Sequence, residues 1–159
     1  MAEIKTAIEI NDPVDKVWEV ISDIDNDSKF WTAITSIRNL SRENNEIKRE
    51  VTLAKVNRCL QTVTLYPKEK IHTEWVKGII KGTKDILLTP RNGTTYLEVV
   101  LNYKFTGIAG FMSGKITKDI RNEMERAVEL IKAKAEGVDT SLKMEERTHW
   151  ADMYDDKEK

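Results

Sequence analysis

The chain has 159 residues, of which 40% are hydrophobic and 33% are charged, and its formal net charge is -1 at pH 7. These values are typical of one soluble globular domain, and they give no electrostatic reason to expect binding to nucleic acid or to an anionic membrane. The single cysteine, Cys59, excludes an intramolecular disulfide, and neither a signal peptide nor an apolar run of about 18 residues is visible, so we expect a cytoplasmic protein without a membrane span.

The first third of the chain predicts one strand followed by two short helical segments. Residues 3–10 alternate between apolar and polar side chains, which favours a strand with one buried face. Asp12 and Pro13 are typical of a helix start, with Asp12 as the cap, and the apolar spacing that follows predicts a helix ending near Asp23. Residues 25–31, which carry Phe30 and Trp31, predict a second capped turn or short helix. Two helices in a row would separate the first strand from the second.

From residue 34 to residue 105 the pattern is that of β-structure. Asn92 and Gly93 predict a tight hairpin turn, because this pair readily adopts positive φ values. Gly78 and Gly82 would permit sharp bending of a coiled sheet. The last strand has one strongly apolar face. The six strands are predicted over residues 34–41, 46–55, 58–66, 71–76, 78–89 and 95–105.

The only long helical period covers residues 116–136, after a segment punctuated by glycines at 107, 110 and 114. Such a helix needs a broad apolar partner, which the predicted strands can supply. The sequence therefore predicts an α+β fold in which a curved antiparallel sheet of seven strands grips one long C-terminal helix. The apolar stripe of that helix consists of Ile116, Ile120, Met124, Ala127, Val128, Ile131 and Ala135.

Four segments together resemble the SRPBCC superfamily, the START-like, polyketide cyclase/dehydrase and lipid-transport group. They are residues 8–23, the pair Phe30 and Trp31, residues 71–75, and the glycine-led final helix. The resemblance spans residues 3–136, and its most specific part is the Pro-Val-Asp-Lys-Val-Trp-Glu-Val segment after the first strand. It implies a helix-grip domain over residues 1–136 with a hydrophobic cavity between sheet and helix. It transfers no catalytic residue to this chain.

Candidate catalytic and metal-binding residues are few. His72 and Glu74 share one face of a strand, a spacing compatible with a general base or with two metal ligands, but also with a solvated outer face opposite Trp75. Cys59 lacks an activating neighbour in the sequence and fits a small core residue. The glycines at 107–114 match neither a dinucleotide fingerprint nor a phosphate loop, and no serine lies in a nucleophile elbow. We therefore predict no catalytic residue, no metal and no cofactor.

The predicted cavity would be lined by aromatic, aliphatic and methionine side chains of the inner sheet face and the long helix. Arg49 is in phase with Val51 and Leu53, so it is the cation expected to meet a polar or anionic headgroup, although an outer-face salt bridge is the alternative. The predicted lining residues are Trp31, Arg49, Trp75, Leu101, Tyr103, Phe105, Phe111, Met112, Ile120 and Met124.

Three functions remain open from the sequence. The first is binding or carriage of a hydrophobic or amphipathic small molecule such as a lipid, isoprenoid quinone or polyketide-like compound. The second is a cyclase- or dehydratase-type enzyme in which Arg49, Tyr103 or Asn102 orients a substrate. The third is a protein-interaction module. An apolar lining would favour the carrier, and a titratable cluster inside the cavity would favour the enzyme.

Residues 137–159 form a charged C-terminal tail with seven acids and four bases among the residues after Gly137. Such a composition is typical of a solvated tail. Trp150, Met153 and Tyr154, however, recur at steps of three and four, which indicates a short helix. We expect this helix to dock on the domain, on a second copy of the chain or on a protein partner.

Overall fold

The secondary structure follows the predicted order. The computed structural model describes residues 1–107 and 113–138, with the side chains of the second range from Thr117 onward. The elements are β1 (Ala2–Ile10), α1 (Val14–Ser22), a 3-10 helix (Ile24–Lys29), β2 (Ile34–Glu43), β3 (Glu46–Leu53), β4 (Asn57–Tyr66), β5 (Lys70–Lys77), β6 (Ile80–Arg91), β7 (Thr94–Phe105) and α2 (Ser113–Ala135).

The seven strands form one antiparallel sheet in the order β1-β7-β6-β5-β4-β3-β2. Strands β1 and β2 lie at opposite edges, because α1 and the 3-10 helix carry the chain from one edge to the other. Strand β1 pairs with β7 along its whole length, from Ala2 opposite Tyr103 to Ile10 opposite Thr95. The predicted α+β helix-grip fold is confirmed.

Glycines occupy two places that other residues fit poorly, a close approach between two strands and a tight turn. Gly82 has a φ of 137°, and a Cβ on this residue would lie 1.9 Å from the carbonyl oxygen of Asn102, so only glycine fits this close approach to β7. Asn92 and Gly93, with φ values of 32° and 86°, connect β6 to β7 as predicted. The turn between β2 and β3 is tighter than predicted, because the strands continue to Glu43 and restart at Glu46.

Helix α2 packs against the inner face of the sheet, mainly at β1 and also at β7, and it contacts α1. The predicted side chains Met124, Ala127, Val128 and Ile131 are buried. Ile120 is half-buried and packs against the core, whereas the side chain of Ile116 lies outside the described residues. Two further helix residues, Leu130 and Ala133, are also buried. Because the helix has neighbours on two sides, it buries a wider face than a single apolar stripe predicts.

The prediction that Asp12 caps α1 is wrong. The N-cap position is Pro13, and no side chain caps the helix. Asp12 instead forms an ion pair with Lys16 at 3.6 Å, and its backbone carbonyl accepts a hydrogen bond from Thr95 Oγ1 at 2.8 Å. This carbonyl links the start of the helix to β7.

Candidate ligand-binding cavity

A cavity of about 520 Å³ lies between the concave face of the sheet, the start of β2 and helix α2. This volume falls in the range of small-molecule sites in proteins. Six of the ten predicted lining residues meet here, because their strands and helix expose the expected faces to the same space. They are Trp31, Trp75, Leu101, Phe105, Ile120 and Met124.

The cavity also contains charged side chains that the sequence analysis did not single out. They are Lys84 from β6 and Asp119, Glu123 and Arg126 from α2. Lys84 shares its strand face with Ile86 and Leu88, which are both buried, so its inward orientation could have been read from the alternation. The helix charges follow no such simple pattern, because they lie at the margin of the apolar stripe.

Tyr103 is buried but does not line the cavity. Its hydroxyl lies 2.5 Å from Thr117 Oγ1 of α2, and its ring packs edge-on against Phe105 with centroids 5.5 Å apart. Tyr103 thus ties β7 to the helix beside the cavity. The predicted lining residues Phe111 and Met112 lie outside the described residues.

Arg49 lies on the inner face of β3, as its phase with Val51 indicates, but it does not line the cavity. Its side chain is only 1% exposed, and all of its contacts are with protein. Nε donates to Gln61 Oε1 at 2.9 Å, Nη1 donates to the carbonyl of Ile24 at 3.0 Å, and Nη2 donates to Asp27 Oδ2 at 2.7 Å. Arg49 therefore attaches the 3-10 helix to the sheet.

Asp27 is the anionic partner in this buried pair. Burial raises the pKa of its carboxyl above the ordinary value of 3.8, although Arg49 and Lys84 act in the opposite direction. An arginine guanidinium keeps its positive charge at any physiological pH. The sequence could not reveal this pair, since its members lie 22 positions apart and on different elements.

Lys84 is the second buried cation of the inner face, and its surroundings differ. Its ammonium lies 3.8 Å from the ring centroid of Trp31, over the face of the indole, and the side chain is 6% exposed. Burial lowers the pKa of Lys84 from 10.5 to about 8; Asp27 and Glu123 raise this pKa, and Arg49 lowers it. Within the described part of the chain Lys84 has neither a hydrogen bond nor an ion pair.

Two helix side chains fix the position of α2 over the cavity. Glu123 Oε1 accepts a hydrogen bond from the backbone N–H of Ala33, and Arg126 Nη2 donates to Thr32 Oγ1. Both contacts join α2 to the segment between the 3-10 helix and β2. The Nε–H of Arg126 is buried without a partner among the described protein atoms.

His72 and Glu74 lie on the outer face of β5, opposite the buried residues Thr73 and Trp75. His72 Nδ1 is 2.6 Å from Asp85 Oδ1 of the neighbouring strand, in a partly exposed pair. Cys59 is buried, and burial raises the pKa of its thiol, the opposite of what activates a nucleophile. Among the described residues, no group of three or more side chains has the arrangement of a metal site.

A second hollow, of about 550 Å³, lies near Gly78 and is lined by residues of β3, β4, β5 and β6. Four of its eight described lining residues are charged and exposed or half-buried, namely Glu50, Arg58, Lys77 and Lys81. Such a surface is usually solvated. We therefore assign the candidate site to the inner cavity, whose walls are largely apolar.

The structure resembles several solved structures over nearly their whole length. A protein from Thermus thermophilus is 14% identical with a TM-score of 0.73, and 86% of this chain covers 98% of that one. The Zhui aromatase/cyclase from Streptomyces sp. R1128 is 11% identical with a TM-score of 0.70, and the match covers 85% of this chain and 93% of that one. A START superfamily protein from Mycobacterium smegmatis is 18% identical with a TM-score of 0.65, and the match covers 85% of this chain and 97% of that one. At these identities the likeness shows the fold.

A search among curated proteins found no match. In the two described ranges, no helix combines the length and the apolar character needed to cross a membrane. The sequence model of the family described as polyketide cyclase / dehydrase and lipid transport matches residues 1–136. This match covers most of the chain and confirms the resemblance to the SRPBCC superfamily. The chain therefore belongs to the polyketide cyclase / dehydrase and lipid transport family.

Proposed function

We propose that the protein binds, and carries without transforming it, a hydrophobic or amphipathic small molecule in the cavity between the sheet and α2. The observation that carries this proposal is the cavity of about 520 Å³ with a predominantly apolar lining. Family membership supports it, because the family includes lipid-transport proteins. Lipids, isoprenoid quinones and polyketide-like compounds all have the required apolar body.

The energetics of such a complex are modest. Burial of roughly 300 Å² of apolar ligand surface contributes about 7 kcal/mol at the usual area coefficient. Association costs several kcal/mol of translational and rotational freedom, so we expect micromolar affinity for a purely apolar guest. A tighter complex requires polar contacts in addition.

The proposal is tested by mass spectrometry of the protein purified under non-denaturing conditions, followed by extraction of bound compounds. We expect a co-purifying hydrophobic molecule. Ile120→Trp places a large ring in the cavity and should reduce the amount of bound compound at least tenfold. The matched control is Lys118→Trp, which alters the exposed side of the same helix and should retain the compound. Equal retention in both variants would exclude the cavity as the site.

A cyclase-type enzyme is the second candidate, and one observation favours it. The cavity holds a lysine with a lowered pKa together with Asp119 and Glu123, and perturbed titratable groups in a pocket are typical of catalytic sites. Of the residues named from the sequence for this role, Arg49 and Tyr103 are engaged in protein contacts, and Asn102 lies on the face opposite to the buried Leu101 and Tyr103. Conversion of the co-purified compound that stops in Lys84→Met, with binding retained, would establish the enzyme.

The protein-interaction role of the tail is a separate proposal, since residues 139–159 lie outside the described residues. Deletion of residues 138–159 should change the oligomeric state or the capture of a protein partner and leave the sheet folded. Size-exclusion chromatography checks this outcome. An unchanged elution volume and unchanged partner capture would leave the tail as a solvated segment.

A further inference from the structure

A row of neighbouring side chains crosses the inner face of the sheet beside the cavity. In the strand register Arg49 lies opposite Gln61, Gln61 lies opposite Trp75, and Trp75 lies opposite Gly82. Lys84 lies opposite Thr73, which precedes Trp75 by two positions on the same face of β5. Lys84 is therefore a diagonal neighbour of Trp75. Diagonal neighbours of this kind are roughly 7–8 Å apart and within reach of long side chains.

The orientation of the Gln61 amide follows from its neighbour. A guanidinium can only donate hydrogen bonds, so the Gln61 oxygen faces Arg49 and accepts from Nε at 2.9 Å. This leaves the amide nitrogen, Nε2, as a donor that has no partner among the described protein atoms. Gln61 is 2% exposed.

Two further donors continue the row into the cavity. The indole Nε1–H of Trp75 is buried and has no partner among the protein atoms of the described ranges. Trp75 is 8% exposed and lines the cavity, as does Lys84, whose ammonium lies over the Trp31 ring face. A buried donor without a partner is unfavourable. The unpaired donors of Gln61 and Trp75, close to the cationic Lys84, point to an acceptor supplied by the guest.

We propose that Trp75 and Lys84, which line the cavity, bind a carboxylate of the ligand while the apolar body of the ligand fills the cavity. Together with Gln61, their buried neighbour in the sheet, they are here called the donor row. This inference rests on the proposed binding function and specifies the ligand class as a long-chain monocarboxylate. The ammonium of Lys84 supplies the charge, and the indole N–H supplies a directed hydrogen bond.

A carboxylate suits the donor row better than a hydroxyl does. An ionised carboxylate accepts hydrogen bonds and donates none, whereas a hydroxyl brings an additional donor into a place that already has an excess of donors. Hydrogen bonds between an ammonium and a carboxylate are also about twice as strong as neutral ones. Two acids, Asp119 and Glu123, also line the cavity. Glu123 Oε1 already accepts a hydrogen bond from the backbone N–H of Ala33.

The test compares two probes of equal chain length, dodecanoate and dodecanol, by titration calorimetry at pH 7 with the full chain. We expect dodecanoate to bind at least about tenfold more tightly than dodecanol. Lys84→Met and Trp75→Phe should each reduce this preference severalfold, because each removes a group that binds the carboxylate. Lys81→Met is the matched control, because Lys81 is exposed on the same strand, and it should keep the full preference.

The outcomes separate this inference from the function on which it rests. Equal affinity of the wild-type protein for acid and alcohol would overturn the donor row and leave a cavity that binds apolar chains. An undiminished preference in both Lys84→Met and Trp75→Phe would overturn it as well. Failure of both probes to bind the wild-type protein would refute the proposed function and, with it, the inference.

Discussion

Two buried cations on the inner face of one sheet have opposite surroundings. Arg49 donates to a carboxylate, a side-chain amide and a backbone carbonyl. Lys84 lies over the Trp31 ring at the wall of a cavity, with neither a hydrogen bond nor an ion pair to the described residues. Removal of a buried charge that is hydrogen-bonded leaves its partners unpaired and is costly, whereas a buried charge without hydrogen bonds lowers stability and remains available to a guest.

The largest effect is expected from Arg49→Met. Removal of the guanidinium leaves the buried carboxyl of Asp27 without its main partner, so the free energy of unfolding should fall by about 3–5 kcal/mol. Urea denaturation measures this change. The control is Arg38→Met, which breaks an exposed ion pair with Glu50 and should change stability by less than about 1 kcal/mol. If both variants unfold at the same urea concentration, the Arg49 contacts do not hold the fold.

The pH dependence of the free energy of unfolding should reveal the lowered pKa of Lys84. Its pKa is about 8 in the folded protein and 10.5 in the unfolded chain, so between these values the unfolded chain binds more protons. The free energy of unfolding should therefore rise with pH across this window, by about 3 kcal/mol from this group. The charged groups that act on Lys84 are Asp27, Arg49 and Glu123. The contribution is isolated as the difference between wild type and Lys84→Met, and a flat difference would contradict the lowered pKa.

At pH 7 the variant Lys84→Met should be more stable than the wild-type protein by about 1–3 kcal/mol. Methionine fills a similar volume and removes the cost of an unpaired buried ammonium. Thermal unfolding measures the gain, with Lys81→Met as the exposed control on the same strand. If Lys84→Met is less stable than the wild-type protein, the ammonium has a stabilising partner in the protein, as the guanidinium of Arg49 does.

The smallest effect is expected on the outer face. His72 and Asp85 form a partly exposed pair, so His72→Asn should change stability by less than about 1 kcal/mol. Binding of dodecanoate should be unchanged, because the inner-face neighbours of His72 are Ile71 and Thr73. A loss of binding or of catalytic turnover in this variant would return His72 to the candidate site residues.

Alternation of apolar and polar residues was sufficient to predict the sheet. In β7 it placed Leu101 and Tyr103 inward, and in β5 it placed Trp75 inward, whereas the face of His72 stayed open until the structure showed it to be the outer one. The pair Asn92 and Gly93 defined the last hairpin, because its backbone preference is local. Local patterns of this kind depend only on residues close in sequence, and they carried most of the fold.

The chemistry of the cavity depends on contacts between distant residues, and it was correspondingly less predictable. Arg49 was expected in the cavity as the cation that meets a ligand headgroup. Its guanidinium instead binds Asp27 of the 3-10 helix, 22 positions away in the sequence. Lys84 has the inward phase, yet a lysine on an apolar face is usually exposed, and only the tertiary structure shows its burial. The unpaired indole N–H of Trp75 likewise follows from what surrounds the ring.

The most direct test of the account is a titration with dodecanoate that follows the indole N–H signals by 15N-labelled NMR, with Trp75→Phe used for assignment. Binding of the carboxylate at the donor row should shift the Trp75 indole signal downfield. Trp18, which lies on α1 and does not line the cavity, is the internal control and should not move. A stationary Trp75 signal at saturating dodecanoate, or equal shifts of Trp75 and Trp18, would contradict the account.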